Sequence, residues 1–396
     1  MWLSHPSFKD VVTSVWSRPY FGSPISVLVK KLKDLKCELK VWNWTVFGDL
    51  KLNISKASEK VLSVQQQLAT EGPSDSLLFQ EIDALSTLDT FLSQEETYLR
   101  EQSRIKWLKE GDRNSSFFHN VVKRRRTSKV LSHMQIGDDV VNDMNLISSH
   151  IQQFYKDLFT EPGNRVVDYS IVQDFIPSMV TPFDNAELCR IPTAEEIRLT
   201  VFDMDASSAP GPDGYSGKFF RHCWDIVHFD VVHAVQHFFI HGNLSPGLNS
   251  NFLVLIPKVD NAITIDQYRP IVLGNFIYKL ITKIIADRLG RVCSRIISPH
   301  QFGFVPDRNI RDCIVGASEC YNCLHKGSFG GNLAMKLDIR KAFDTMRWDF
   351  IKAVLSCFGF GDIFVTWIET IFLSARISIL INGSPHGYFS CSRGVR

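Results

Sequence analysis

The stretch NLAMKLDIRKAFDTMRWDF, Asn332 to Phe350, decides how this chain is read. Leu333, Met335 and Leu337 alternate with Ala334, Lys336 and Asp338, the period of a half-buried strand. The alternation predicts a strand that Asp338 closes on the same side as Lys336, and helical spacing begins directly after it. An aspartate at such a junction is open to two readings. It is a helix N-cap, or a carboxylate held on a rigid scaffold for chemistry.

Composition sets the frame. At 396 residues the chain is long enough for two or three domains and a sizeable core. An apolar content of 44% with 22% charged residues is that of a globular protein. A net charge of +2 forces no polyanion partner, so any such site must come from local clustering. The nine cysteines are scattered, with Cys320 and Cys323 the one close pair, a weak zinc signal. Ile310, Cys313, Ile314, Ala317, Cys320 and Leu324 share a helical face, which predicts buried core thiols. No disulfide framework is implied, as in a reducing compartment. The start, MWLSHPSFKDVV, has neither a basic leader nor an apolar core region. No apolar run reaches the ~18 residues that span a bilayer. A soluble intracellular protein, cytoplasmic or nuclear, is expected, with no membrane partner.

The first hundred residues read as long helices. Ser23 and Pro24 form an N-terminal signal, and Ile25, Leu28, Leu32, Leu35, Leu39 and Trp42 step at heptad-like intervals. Such a seam needs a partner helix, from this chain or another. A second helix runs through KASEKVLSVQQQLAT, and EGPSD breaks it. A third carries Leu78, Leu85, Leu88, Leu92 and Leu99. Between Arg104 and Lys129 cations far outnumber acids. Arg104, Lys106, Arg113, Lys123, Arg124, Arg125 and Arg126 lie there with Trp107, Phe117 and Phe118. Cations for phosphates beside aromatic faces for bases suit single-stranded nucleic acid, although a solvated helix face has the same charge. KVLSHMQIGDDVV predicts a hairpin turning at Gly137 and Asp138.

A new unit opens at IPTAEEIRLTVFDMD, where Thr193 and Glu196 predict a capping box. APGPDGYSGKFF is a rigid turn. FLVLIPK (Phe252 to Lys258) and YRPIVL (Tyr268 to Leu273) are candidate strands with a helix after them. ARISILINGSPHGYF predicts a hairpin at Asn382-Gly383. Strands mixed with helices, without a βαβ rhythm, give the fold class α+β.

Taken in order, seven pieces resemble the reverse transcriptases of non-LTR (LINE-type) retrotransposons, particularly those of plants. They are SRIKWLKEGDRNSSFFH, APGPDGYSGKFF, LVLIPKVDN, QYRPIVLGNFIYKLITKIIADRL, ISPHQFGFVPDRNI, KLDIRKAFDTMRWDF and SILINGSPHGYFSCSRGVR. The resemblance covers nearly the whole chain and implies a right-hand polymerase. Its parts would be a helical arm (1–110), a basic linker with a hairpin and a helix (111–190), fingers (191–330) and a partial palm (331–396). It implies two-metal phosphoryl transfer with Mg2+, on an RNA template and a DNA primer. Asp338 becomes the first metal-holding aspartate, with the Ile339 carbonyl as a further ligand. Phe343 would lie beneath the sugar and exclude a 2′-hydroxyl. Lys258 and Arg269 become partners of the incoming triphosphate. Gln301, Gly303 and Arg308 become template contacts, and Asp344 a surface or capping residue.

By the resemblance, an Asp-Asp hairpin would be expected to follow the SRGVR phrase and an endonuclease to precede MWLSHPSFKDVV, and neither is read in these 396 residues. The expectation is therefore a truncated relative without polymerase activity. A nucleic-acid-binding module built on residues 104–129 is the alternative. A third reading is an unrelated helical scaffold, which a structure lacking a strand through Leu333–Asp338 packed beside FLVLIPK would support.

Overall fold

The computed structural model describes residues 2–103, 130–163, 167–327, 329–339 and 341–395. The chain divides into two compact units, residues 1–20 with 30–132, and residues 21–29 with 133–396.

The first unit is helical. Helix α1 (Phe8–Trp16) buries Phe8, Val12, Val15 and Trp16. Helix α2 (Pro24–Val46) starts where Ser23 Oγ accepts a hydrogen bond from Ser26 N. All six seam residues, Ile25 to Trp42, are buried by the chain itself. Trp42 meets Trp2, His5, Phe8 and Phe47 edge-on. A separate helix partner through this seam is thus not needed, because spacing signals a demand for burial and not who meets it. Helices α3 (Leu50–Glu71) and α4 (Asp75–Ser103) form a hairpin across Gly72, whose φ of +81° suits glycine. On α4, Ala84 and Leu99 are buried while Leu78, Leu85 and Leu92 are exposed, so most of the expected leucine stripe faces outward.

The second unit is α+β. Strands β1 (Met134–Ile136) and β2 (Asp139–Val141) form the expected hairpin with Gly137 at φ +64°. Helices α5 (Met144–Phe159), α6 (Ser170–Phe175), α7 (Pro182–Cys189), α8 (Ala194–Asp203), α9 (Gly217–His222) and α10 (Trp224–His241) follow. Strands β3 (Ser250–Pro257) and β4 (Tyr268–Gly274) lead to helices α11 (Phe276–Ile296), α12 (Ile310–Asn322), α13 (Ala342–Thr345), α14 (Trp348–Phe358) and α15 (Asp362–Leu373). Strands β5 (Arg376–Ile381) and β6 (Ser384–Ser390) close the order. The sheet runs β4-β3-β5-β6, with β3 and β5 parallel and the outer pairs antiparallel. In β5, Ile377, Ile379 and Ile381 are buried and alternate with less buried neighbours, and Asn382 and Gly383 turn the hairpin at φ +48° and +85°. Val231, Val235, Phe238, Ile277, Leu280, Ile281 and Ile284 fill the helical side of the core.

One buried ion pair ties this core together. Arg288, only 5% exposed, donates from Nε and Nη2 to both carboxylate oxygens of Glu196 at 2.9 and 3.0 Å. Its Nη1 serves the carbonyls of Leu188 and Arg190, and the guanidinium lies over Phe239. Thr193 Oγ1 accepts from Glu196 N at 3.1 Å, so half of the predicted capping box forms. The other half yields because Arg288 and Arg190 claim the Glu196 carboxylate.

Two expectations fail. Residues 331–339 form no strand and are exposed. Period two specifies the face a strand would bury, but a strand also needs a neighbouring backbone, and among the described residues none pairs here. Helix α12 forms as the spacing predicts, yet it buries nothing. Ile310 and Ile314 are exposed, as are Cys320 and Cys323, so these two thiols are not core residues.

Candidate functional site

The β3–β4 hairpin presents the two expected phosphate partners together. Ile256 pairs with Arg269 and Pro257 with Tyr268, and Lys258 N donates to Gln267 O at 2.8 Å. Opposite residues share a face and successive ones alternate. Lys258 and Arg269 therefore project from the same face, and both are exposed. The connecting loop is pinned: Gln267 Oε1 accepts from Ile263 N and Thr264 N, and Tyr268 Oη donates to Ala262 O.

The proline- and glycine-rich loop docks where β4 meets α11. Asn275 Oδ1 accepts from Asp213 N at 3.1 Å, its Nδ2 donates to the carbonyls of Gly247 and Leu248, and Lys279 Nζ donates to Ala209 O. A Cβ on Gly211 would stand 2.5 Å from Asn275 N, which explains glycine there.

Asp338 and Ile339 sit on the exposed, unpaired segment. Beyond them the chain is anchored. Lys341, at φ +53°, pairs with Asp266 Oδ1 at 3.0 Å and holds its ammonium 4.6 Å above the Phe154 ring. Lys258 Nζ donates to the carbonyl of the same Asp266 at 2.8 Å, so the segment after Asp338 reaches the hairpin of the cations. Phe343 is half exposed and meets Phe304 edge-on at 6.2 Å, which joins the QFGF segment to it. The chain's last residues brace this turn: Val395 N donates to Phe343 O, Gly394 N to Met346 O, and Trp348 Nε1 to Gly394 O. Asp344 is buried rather than on the surface, enclosed beneath Gly394.

Gln301 and Arg308 are turned toward their own loop. Gln301 Nε2 donates to Gly303 O, while Arg308 gives its Nη1 and Nη2 hydrogens to the carbonyls of Ser294, Ile297, Ser298 and Gln301. Arg308 thus closes the C-terminal end of α11, where a cation is favoured. At Gly303 a Cβ would meet nothing closer than Gln301 Nε2 at 3.7 Å, so no protein contact demands glycine. Arg104, Lys106, Arg113, Lys123, Arg124, Arg125 and Arg126 lie outside the described residues.

Two divalent ions ~3.5–4 Å apart require converging carboxylates. Among the described residues no three His, Cys, Asp or Glu side chains converge in that way, and Asp338 stands on the open segment. The residues as placed do not fit a two-metal cage.

Residues 256–396 match the family described as reverse transcriptase (RNA-dependent DNA polymerase), an interval that contains Lys258, Arg269, Asp338 and Phe343. The chain is similar to the transposon TX1 uncharacterized 149 kDa protein of Xenopus laevis, 27% identical over 368 residues, which covers 91% of this chain and 28% of that protein. It is also similar to the retrovirus-related Pol polyprotein from type-2 retrotransposable element R2DM of Drosophila melanogaster, 26% identical over 204 residues, 52% of this chain and 18% of that protein. Residues 256–396 carry a reverse transcriptase domain, and the chain is similar to proteins of transposable elements.

That overturns the reading as an unrelated scaffold, even though the strand whose absence would support it does not form among the described residues. The chain spans less than a third of either relative's length. Within the reverse transcriptase domain, sequence reasoning overlooked the Lys341–Asp266 pair, the Phe304–Phe343 contact and the burial of Asp344. The last had a signal: Ala342, Phe343 and Asp344 open a helix, and a short acid at its first turn favours enclosure near backbone N–H groups.

Proposed function

We propose that this chain contributes the helical arm (1–110), basic linker (111–190), fingers (191–330) and first part of the palm (331–396) of a right-hand RNA-directed DNA polymerase, of the plant-like non-LTR line. Its substrates in this reading are an RNA template, a DNA primer and deoxynucleoside triphosphates. Lys258 and Arg269 offset the triphosphate, Phe343 screens the sugar, and Gln301 and Gly303 lie along the template. Arg308 holds that loop in shape. The observation that carries the reading is the single exposed face shared by Lys258 and Arg269, tied through Asp266 to the segment that follows Asp338.

Asp338 is the carboxylate that Mg2+ would use, with the Ile339 carbonyl, once further carboxylates stand beside it. Standing apart as it does here, it supports no nucleotide incorporation by this chain alone. Photocrosslinking of a deoxynucleoside triphosphate analogue tests the cation pair: labelling falls in Lys258→Ala and in Arg269→Ala and is unchanged in Lys279→Ala. Equal labelling of all variants contradicts it. In the alternative reading, Arg104 to Lys129 form a nucleic-acid-binding module, supported by their interleaved cations and aromatics. That reading predicts binding that survives loss of the finger cations and collapses when Arg124, Arg125 and Arg126 are neutralised.

A further inference from the structure

Helix α10 carries four histidines in the stretch HFDVVHAVQHFFIHG, His228 to Gly242. Two are accounted for by their neighbours. His228 Nδ1 lies 3.0 Å from Trp224 O, and the His233 ring rests 4.0 Å from that of Phe229. The other two, His237 and His241, stand one helical turn apart and meet each other, with ring centroids 4.4 Å apart and planes at 47°. His241 is exposed and His237 is half-buried. Neither ring makes a hydrogen bond among the described residues, and Nδ1 of His237 is enclosed without a partner. Such an uncommitted, enclosed polar atom is costly to a fold. Burial, and then the neighbouring His241, push the His237 imidazole below its ordinary range, so this ring is neutral at pH 7. Neutral imidazole is the form that ligates metals.

We propose that His237 and His241 chelate a zinc-type divalent ion at the C-terminal end of α10. A metal ~2.0–2.1 Å from one nitrogen of each ring sets the ring centres roughly 4.5–5 Å apart, so the pair stands almost in the chelating arrangement already. Both residues lie in the last turn of the helix, which ends at Gly242 with φ +64°. The carbonyl ends of that turn favour a cation beside them. Imidazole nitrogens suit zinc, nickel and copper, whereas magnesium takes oxygen ligands. Among the described residues no third His, Cys, Asp or Glu joins the pair, so water completes the coordination and the site is an open one. Bound there, the ion staples the end of α10 at the point where the chain turns toward β3. The site uses neither Asp338 nor magnesium, and it stands or falls separately from the reverse transcriptase reading.

The test is hydrogen exchange of the full 396-residue chain with and without zinc chloride, followed at the end of α10. Zinc also binds thiols, and the chain has nine cysteines, so the readout must be local. The Gly242 amide, which donates to Phe238 O, should exchange about tenfold more slowly at zinc about ten times above the dissociation constant. Magnesium at the same concentration should leave it unchanged. His241→Gln, a change on an exposed side chain, removes the slowing, and so does His237→Gln. The double variant removes no more, because a chelate fails with either ligand, and His233→Gln keeps the effect. Circular dichroism of each variant without metal matches the parent. No slowing in the parent overturns the proposal. So does slowing that survives in His241→Gln, that is lost equally in His233→Gln, or that magnesium reproduces.

Discussion

Lys341 and Asp266 form an ion pair 3.0 Å long between the segment that follows Asp338 and the loop joining β3 to β4. Lys258 donates to the carbonyl of the same Asp266, so one acidic residue touches cations from two distant parts of the sequence. Both partners are partly exposed, and such a pair contributes little stability, about 0–1 kcal/mol. Its consequence is positional. Lys341→Ala is expected to lower stability in urea by less than ~1 kcal/mol while loosening the turn at 341–345, seen as faster exchange of the Asp344 and Thr345 amides that donate to Lys341 O. A large loss of stability, or no change in exchange, contradicts this role.

Arg288 and Glu196 are the opposite case. Removing Arg288 leaves the Glu196 carboxylate and the carbonyls of Leu188 and Arg190 without their buried cation, and Arg288→Ala should cost about 3–5 kcal/mol in urea unfolding. Arg288→Lys recovers only part, because an ammonium cannot bridge both Glu196 oxygens and the carbonyls of Leu188 and Arg190.

The same pair sets an acid limit. Burial pushes the Glu196 carboxyl up, but the Arg288 hydrogen bond and charge, with those of Arg190, bring it below the usual glutamate range. A lowered folded-state value means the contribution is present above the unfolded value of about 4.3 and is lost as pH falls through the folded one. Stability attributable to Glu196 should therefore be flat from neutrality to about pH 5 and decline below about pH 4, and Glu196→Gln should remove that decline.

Glycines divide by what surrounds them. Gly211→Ala places a Cβ 2.5 Å from the backbone of Asn275 and should destabilise by roughly 1–3 kcal/mol. Gly303→Ala meets only a flexible side-chain end and should stay within about 0.5 kcal/mol of the parent. If Gly303 lies along the template, its alanine variant loses primer–template affinity at unchanged stability.

Thiols offer a check on burial. Burial drives the Cys391 thiol up to about 11, and Cys223 is fully enclosed, whereas Cys320 and Cys323 are exposed. Maleimide labelling of the native chain at neutral pH should modify the exposed Cys37, Cys320 and Cys323 first and leave Cys223 and Cys391 for the unfolded state.

Local patterns carried much of this fold. The seam of α2, the hairpins at Gly137 and at Asn382-Gly383, and the β3–β4 pair are each specified by residues within a few positions of one another. What depended on distant partners was not legible. The alternation of Leu333, Met335 and Leu337 names a face without naming a neighbour, and the apolar side of α12 likewise found no cover among the described residues. Arg308 reads in sequence as a free cation, but four carbonyls around the end of α11 take its hydrogens. Glu196 reads as half of a capping box, yet an arginine 92 residues away competes for its carboxylate. At the site, the shared face of Lys258 and Arg269 follows from strand alternation once the pairing is known. The tie of Asp266 to both Lys258 and Lys341 has no signature in spacing.

The phosphate-binding face of the β3–β4 hairpin is tested most directly by deoxynucleoside triphosphate binding as a function of salt. Affinity for a deoxynucleoside triphosphate should fall as salt rises, and the Lys258→Ala/Arg269→Ala variant should show a shallower slope at unchanged stability. An identical slope in the variant and the parent, or affinity indifferent to salt, contradicts it.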